Sequence, residues 1–247
     1  MMSQYVDSCG CNRSFLGYLK KRLRNPRNPL ERVIKNSLVM IRDFPYGLYL
    51  ALVFPSRKWR RYYRHAINEY NATTVWPDAQ AQHTELLKNL PSNCSRILDL
   101  GCGDGWSLNY IMKTLGKDVV GFTCNPRELR FARCHYPGVK IRFGDMHALP
   151  FGDGEFDTVY CRETYEHSIA PYIAMCEMNR VLCTNGYLLI NIPDERWLKH
   201  HSHFSVLTES QMMEMFRKCR FETAKKGRTP AGHYWYLAQK TGPAPGR

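Results

Sequence analysis

The chain has 247 residues, enough for one substantial domain and an extension, and its 44% hydrophobic content excludes wholesale disorder. Ten cysteines, mostly scattered singly and without a Cys-x-x-Cys pair or a zinc spacing, argue against a disulfide scaffold and for reduced thiols in a cytoplasmic protein. The formal charge of +13 is concentrated: residues 13–64 hold 14 Lys/Arg against Glu31 and Asp43, a balance of +12, so little of it belongs to the rest of the chain.

Residues 1–75 read as a basic, partly helical N-terminal extension. Its start, MMSQYVDSCGCNRS, lacks the apolar core of a secretory signal. The apolar stretch from Leu38 to Phe54 is broken by Arg42, Asp43 and Pro45 and is too short to span a bilayer comfortably. Residues 76–240 read as the main domain and residues 241–247 as a flexible tail. A helix is expected from Pro77 or Asp78, with Pro pre-set for the first helical position.

Strands and helices then alternate. Strands are expected at Arg96–Leu100, Lys117–Phe122, Val139–Phe143, Phe156–Tyr160 and Gly186–Ile192, with helices at Trp106–Leu115, Pro126–His135 and Pro171–Val181 between them. A helix at Thr208–Cys219, capped by Thr208 with Gln211, precedes two late strands, Phe221–Lys225 and His233–Gln239. Such alternation predicts an α/β, Rossmann-like, seven-stranded, mostly parallel sheet with helices on both faces, its ligands at the carboxyl ends of the strands.

The segment RILDLGCGDG, Arg96 to Gly105, carries the most chemistry. Its buried-strand pattern runs into Gly101, Gly103 and Gly105, which let the backbone turn tightly and approach a ligand with no Cβ in the way. The Gly-x-Gly-x-Gly spacing headed by Asp99-Leu100 differs from the nicotinamide and flavin fingerprint, whose third glycine comes three residues after the second.

This pattern resembles class I S-adenosylmethionine-dependent methyltransferases of the type 11 kind, and three further segments agree in order: Gly144 to His167, Val181 to Pro193 and His203 to Phe221. The resemblance covers roughly Trp76 to Lys240 and implies S-adenosylmethionine as cofactor. It implies that Asp99 faces the ammonium end of the cofactor, that Gly101, Cys102 and Gly103 pass beneath the methionine portion, and that Asp145 accepts from the adenine amino group beside Met146. Arg162, after the fourth strand, would line the same pocket. The family usually places an acidic residue at the end of the second strand for the ribose hydroxyls, whereas this chain has Thr123. In that respect it resembles cyclopropane-fatty-acid synthases and tocopherol-type methyltransferases, and Glu128, five residues on, takes the ribose-binding position.

On the acceptor side, the Asp/Asn-Pro-Pro-aromatic signature of amino-methyltransferases is absent near Cys161, and no DNA-binding signature appears. Glu163-Thr-Tyr-Glu166-His167 stands there instead, with Glu166 and His167 as candidate catalytic residues and His167 as a general base. Helical spacing would put Glu163, Glu166 and His167 on one face, a set able to hold a divalent cation, with His200, His201 or His203 as a fourth ligand. The same E-x-x-E-H pattern resembles quinone-biosynthesis O-methyltransferases and small-RNA 2′-O-methyltransferases, where it holds a metal. The alternative is that these side chains bond to backbone and shape the pocket, and no metal is assigned.

The expected reaction is methyl transfer to an oxygen, or less readily a nitrogen or carbon, of a small-molecule or lipid-linked acceptor. An RNA methyltransferase gripping its substrate with residues 13–64 is the runner-up, because Lys/Arg there interleave with Trp59, Tyr62 and Tyr63. The same arm could rest on an anionic membrane surface or cap the cofactor pocket. A non-catalytic binding protein with this fold is the third reading.

Overall fold

A computed structural model describes residues 77–245 apart from residue 201. The basic extension, with its RNA, membrane and cap readings, lies outside the described residues. The described part belongs to one compact unit, residues 70–247. Helix α1 (Pro77–Leu87) leads to β1 (Arg96–Leu100), α2 (Trp106–Lys113), β2 (Asp118–Thr123), α3 (Pro126–His135), β3 (Lys140–Phe143) and β4 (Phe156–Arg162). Helix α4 (Pro171–Val181), β5 (Leu182–Ile192), α5 (Glu209–Lys218), β6 (Phe221–Arg228) and β7 (Tyr234–Lys240) complete it. No helix among the described residues is long and apolar enough to cross a membrane.

The strands form one sheet in the order β3-β2-β1-β4-β5-β7-β6, parallel from β3 to β5 and antiparallel at β7 and β6. Strand β1 sits between β2 and β4, so all its residues after Arg96 are buried, as its unbroken apolar run requires. Alternation sends Leu98, Leu100, Val159 and Ile190 into one core layer, with Met175 and Met178 of α4 and Met212 and Phe216 of α5. Ile97, Tyr160 and Leu189 face the other layer, with Leu86 and Leu87 of α1, Leu108 and Ile111 of α2 and Ala132 of α3. Helices on both faces follow from this two-sided burial, and β1 lies where the strand order reverses direction, beside the crevice such sheets open to ligands.

Three strand boundaries shift by two residues or more from the sequence expectation, each for a physical reason. Strand β5 begins at Leu182 rather than Gly186, because Phe156 pairs with Leu182 but Thr158 pairs with Tyr187, leaving residues 183–186 bulged opposite one residue of β4. Strand β4 continues through Cys161 and Arg162, which pair with Ile190 and Asn191. Strand β6 continues through Lys225, Lys226 and Arg228, whose exposed basic side chains suit an edge strand.

The β3–β4 connection is fixed by one ion pair. Glu177 of α4, 1% exposed, accepts from the backbone N–H of Leu149 at 2.7 Å and from Arg180 Nε and Nη2, each at 2.9 Å. Arg180 also donates to the carbonyls of Leu149 and Phe151 and to the exposed Asp153. Arg180→Ala would leave the Glu177 charge buried without its partner and is expected to lower unfolding free energy by about 3 kcal/mol in chemical denaturation. Asp153→Ala, which removes only the solvent-facing contact, is expected to cost less than about 1 kcal/mol.

Candidate active site

The loop after β1 depends on its glycines. Gly101 has φ +85°, and a Cβ there would run into the Thr164 side chain. At Gly103, φ +52°, a Cβ would stand in open space, so this is where the backbone lies bare. Asp99, 2% exposed, accepts from Ser107 Oγ at 2.5 Å. Burial raises its carboxyl to about 7, against the pull of the Ser107 hydrogen bond. Cys102 is buried beneath the loop, and burial holds its thiol well above the ordinary range, so it packs as an apolar group.

Thr123 and Glu128 are brought together as their spacing suggested. Thr123 Oγ1 donates to Glu128 Oε2 at 2.6 Å, both side chains being buried. Asn125 caps α3 by accepting from Arg127 N, with Pro126 in the first turn, which swings Glu128 back over the end of β2. Burial raises the Glu128 carboxyl, and the Thr123 and Asn125 hydrogen bonds partly restrain it. Beyond β3, Asp145 Oδ1 accepts from His147 N at 2.9 Å and pairs with His147 Nδ1 at 2.5 Å, while the buried Oδ2 has no partner. Met146 packs into the core beside Phe122 and Leu149.

Arg162 is held by protein groups. Its Nη2 donates to Gln82 Oε1 at 2.7 Å and lies 3.2 Å from Glu163 Oε1, and its Nη1 is 3.4 Å from His83 Nε2. His83 Nδ1 in turn bonds Tyr160 Oη at 2.7 Å, and burial with the Arg162 charge lowers the imidazole to about 3. Arg162 thus ties α1 to the end of β4.

The E-x-x-E-H segment does not form a continuous helical face. Glu163 has φ +44°, and only Tyr165–His167 make a turn of 3-10 helix. Glu163 stays outside the group that Glu166 and His167 form and pairs with His233 Nδ1 at 2.9 Å. Burial pushes the Glu163 carboxyl up, but the His233 hydrogen bond and Arg162 outweigh it and leave it lowered. His233 Nε2 is buried and unpartnered, with Trp197 edge-to-face to the ring at 5.7 Å.

The third member of the Glu166–His167 group is His203. One ligand atom from each of Glu166, His167 and His203 falls within 4.8 Å of the others. His167 Nδ1 donates to Ser202 O at 2.9 Å and His203 Nδ1 to Trp197 O at 3.2 Å, so each ring keeps its Nε2 lone pair. Burial lowers both imidazoles, His203 to about 4, and keeps them neutral. Glu166 Oε2 is buried with no hydrogen-bond partner, and burial holds that carboxyl well above its usual range.

Residues 98–190 match the family described as Methyltransferase domain. The O-methyltransferase cnsE of Penicillium expansum is 32% identical over 106 residues, covering 40% of this chain and 38% of that one. The tRNA U34 carboxymethyltransferase of Shewanella baltica is 27% identical over 196 residues, covering 70% and 56%. The PH0226 protein of Pyrococcus horikoshii shares the fold, with TM-score 0.59 at 19% identity over 73% of this chain and 98% of that one. Fold, glycine loop and family match together define a class I S-adenosylmethionine-dependent methyltransferase domain. The chain spans between about a third and just over half of the length of these curated relatives.

The residues present fit that class's cofactor: Gly103 offers bare backbone after β1, and Asp145 Oδ2 is an acceptor still in want of a donor. The second polar group fits a metal better than the sequence motif does. Two imidazoles each anchored through Nδ1 to a carbonyl, with a carboxylate oxygen beside them, form a His2Glu donor set suited to zinc with an open position. Titration of Zn²⁺ followed by calorimetry is expected to show one site, weakened at least about tenfold by His203→Ala or Glu166→Gln. Glu163→Gln is expected to lower that affinity much less than either, since Glu163 bonds His233 and reaches the group only through its charge.

Proposed function

We propose that this chain transfers the methyl group of S-adenosylmethionine to an oxygen of a small-molecule or lipid-linked acceptor. The observation that carries the oxygen assignment is the Glu163–His233 pair, a carboxylate-oriented imidazole with Nε2 left unpartnered and buried. An imidazole held through Nδ1 by a carboxylate keeps its Nε2 lone pair aimed and stabilises the charge it gains, as a general base for a hydroxyl requires. This reading moves proton acceptance from His167, which groups with Glu166 and His203, to His233.

The cofactor, when bound, supplies a methyl group on a sulfonium for in-line displacement. Asp99 would receive its ammonium end, the Gly101–Gly103 backbone would lie against the methionine portion, and Thr123 with Glu128 would receive the ribose. Asp145 would accept from the adenine amino group through its bare Oδ2, beside Met146. Arg162, braced by Gln82 and Glu163, holds the wall between cofactor and acceptor. His233 would take the proton of an acceptor hydroxyl on its unpartnered Nε2, with Glu163 holding the ring through Nδ1.

A second reading, an RNA acceptor, is favoured by one observation: the 196-residue match to a tRNA-modifying protein covers 70% of this chain. Tritiated S-adenosylmethionine offered with phenolic acceptors and with total tRNA separates the two by where the label appears. A third reading, a non-catalytic binding protein, is sunk by transfer to either.

Two outcomes are expected. S-adenosylhomocysteine binding should depend on pH through Asp99, raised to about 7 by burial. Below that value the carboxyl is protonated and the ammonium loses its ionic partner, so affinity is expected to fall by up to about tenfold per pH unit as pH drops. Asp99→Asn should bind weakly with that pH dependence removed; calorimetry at pH 5.5 to 7.5 checks both. His233→Gln is expected to lower kcat by about a hundredfold or more with the labelled acceptor while S-adenosylhomocysteine affinity stays unchanged.

A further inference from the structure

The side chain that aims Asp145 is itself held by a one-way chain of hydrogen-bond donors. Asp145 Oδ1 can only accept, so the neutral His147 ring has its proton on Nδ1 and its Nε2 accepts from the Ser168 hydroxyl, 2.7 Å away, while Ser168 Oγ accepts from the N–H of Ala170 at 3.3 Å. His147 then carries its own proton on Nδ1 and donates it to Asp145 Oδ1 at 2.5 Å. The N–H of His147 donates to the same oxygen at 2.9 Å. Both protein donors therefore fall on Oδ1, which fixes the carboxylate plane and leaves Oδ2 buried and bare.

We propose that His147, braced by Ser168, is the positioning residue that selects an adenine amino group at Asp145. The inference rests on the cofactor reading above and deepens it. A carboxylate free to rotate could turn either oxygen toward the backbone donor and share one ligand donor in several poses. Locking Oδ1 leaves a single acceptor at one place, unsatisfied until a ligand N–H arrives, and an unsatisfied buried acceptor is costly. A ligand with an amino group at the purine 6-position removes that cost, whereas one without it does not.

The brace extends past the adenine end. Ser168 is fully buried, and its carbonyl accepts from Ser205 Oγ at 2.6 Å. The N–H groups of Phe204 and Ser205 donate to the carbonyl of Glu166 at 2.8 and 3.0 Å. The imidazole of His147 is thus anchored to the turn that carries Glu166 and His167, and not to a solvent-facing loop.

Calorimetry with S-adenosylhomocysteine and with its 6-deamino analogue, purine in place of adenine, tests the proposal on the full chain. His147→Ala is expected to weaken S-adenosylhomocysteine about tenfold, the scale of coupling between members of one hydrogen-bond network, and to change the 6-deamino analogue less than threefold. His147→Asn, whose amide nitrogen can replace Nδ1 as donor to Asp145, is expected to recover most of the loss. Ser168→Ala should weaken S-adenosylhomocysteine by a smaller factor in the same ligand-dependent way. Equal losses for both ligands, or none for either, would overturn the role of His147 while leaving cofactor binding intact. Absence of S-adenosylhomocysteine binding by the unaltered chain would overturn the cofactor reading itself, and this proposal with it.

Discussion

The carboxyl edge of this sheet is governed by the cost of burying carboxylates with more lone pairs than nearby donors. Asp99, Glu128, Asp145, Glu166 and Glu177 are all under a tenth exposed. Each was taken out of water when the strands and their connections packed, and each must recover hydrogen bonds or remain a source of strain. How far each recovers them sorts scaffold from site. Glu177 is saturated, with Arg180 spanning both oxygens and a backbone N–H on one of them, and it holds the loop before β4 in place. Asp145 and Glu166 each keep one buried oxygen with no partner. An orphan acceptor behind a saturated scaffold is what a binding site looks like before its ligand arrives.

The same contrast explains the histidines. His83 has both ring nitrogens engaged, with Tyr160 and Arg162, and belongs to the packing of α1. His147 has both engaged as well, but one engagement ends on an orphan-bearing carboxylate. His167 and His203 each have one nitrogen tied to a carbonyl and group with Glu166, and His233 has one tied to Glu163 and the other bare. Residue type alone does not distinguish these roles; the identity of the second nitrogen's neighbour does.

Much of this was legible in the chain itself. The run at Arg96–Leu100, the proline-led helices at Pro77, Pro126 and Pro171 and the Thr208–Gln211 capping box lie where local rules put them, because apolar periodicity and capping chemistry act over a few residues. The five-residue link between Thr123 and Glu128 was legible for the same reason, since a strand end and the next helix's first turn are neighbours in sequence and in space. The E-x-x-E-H segment misled because helical spacing was assumed where Glu163 takes a positive φ and only one 3-10 turn forms. His233 gave no local signal: it follows Gly232 in the β6–β7 connection and meets Glu163 only because β7 inserts beside β5. His203 was one of three nearby histidines in the chain, and the carbonyl of Trp197 singles it out.

These long-range meetings place the two halves of the site on shared supports. Ser168 braces His147 at the adenine side through its hydroxyl and receives Ser205 through its carbonyl, and Ser205 in turn bonds the backbone of Glu166. Glu166 is one residue from His167, and Glu163, at the head of the same turn, orients His233. On the proposed reading the segment Glu163–Ser168 links the adenine side to the acceptor side, and the positive φ at Glu163 is where it parts the carboxylate that holds His233 from that of Glu166.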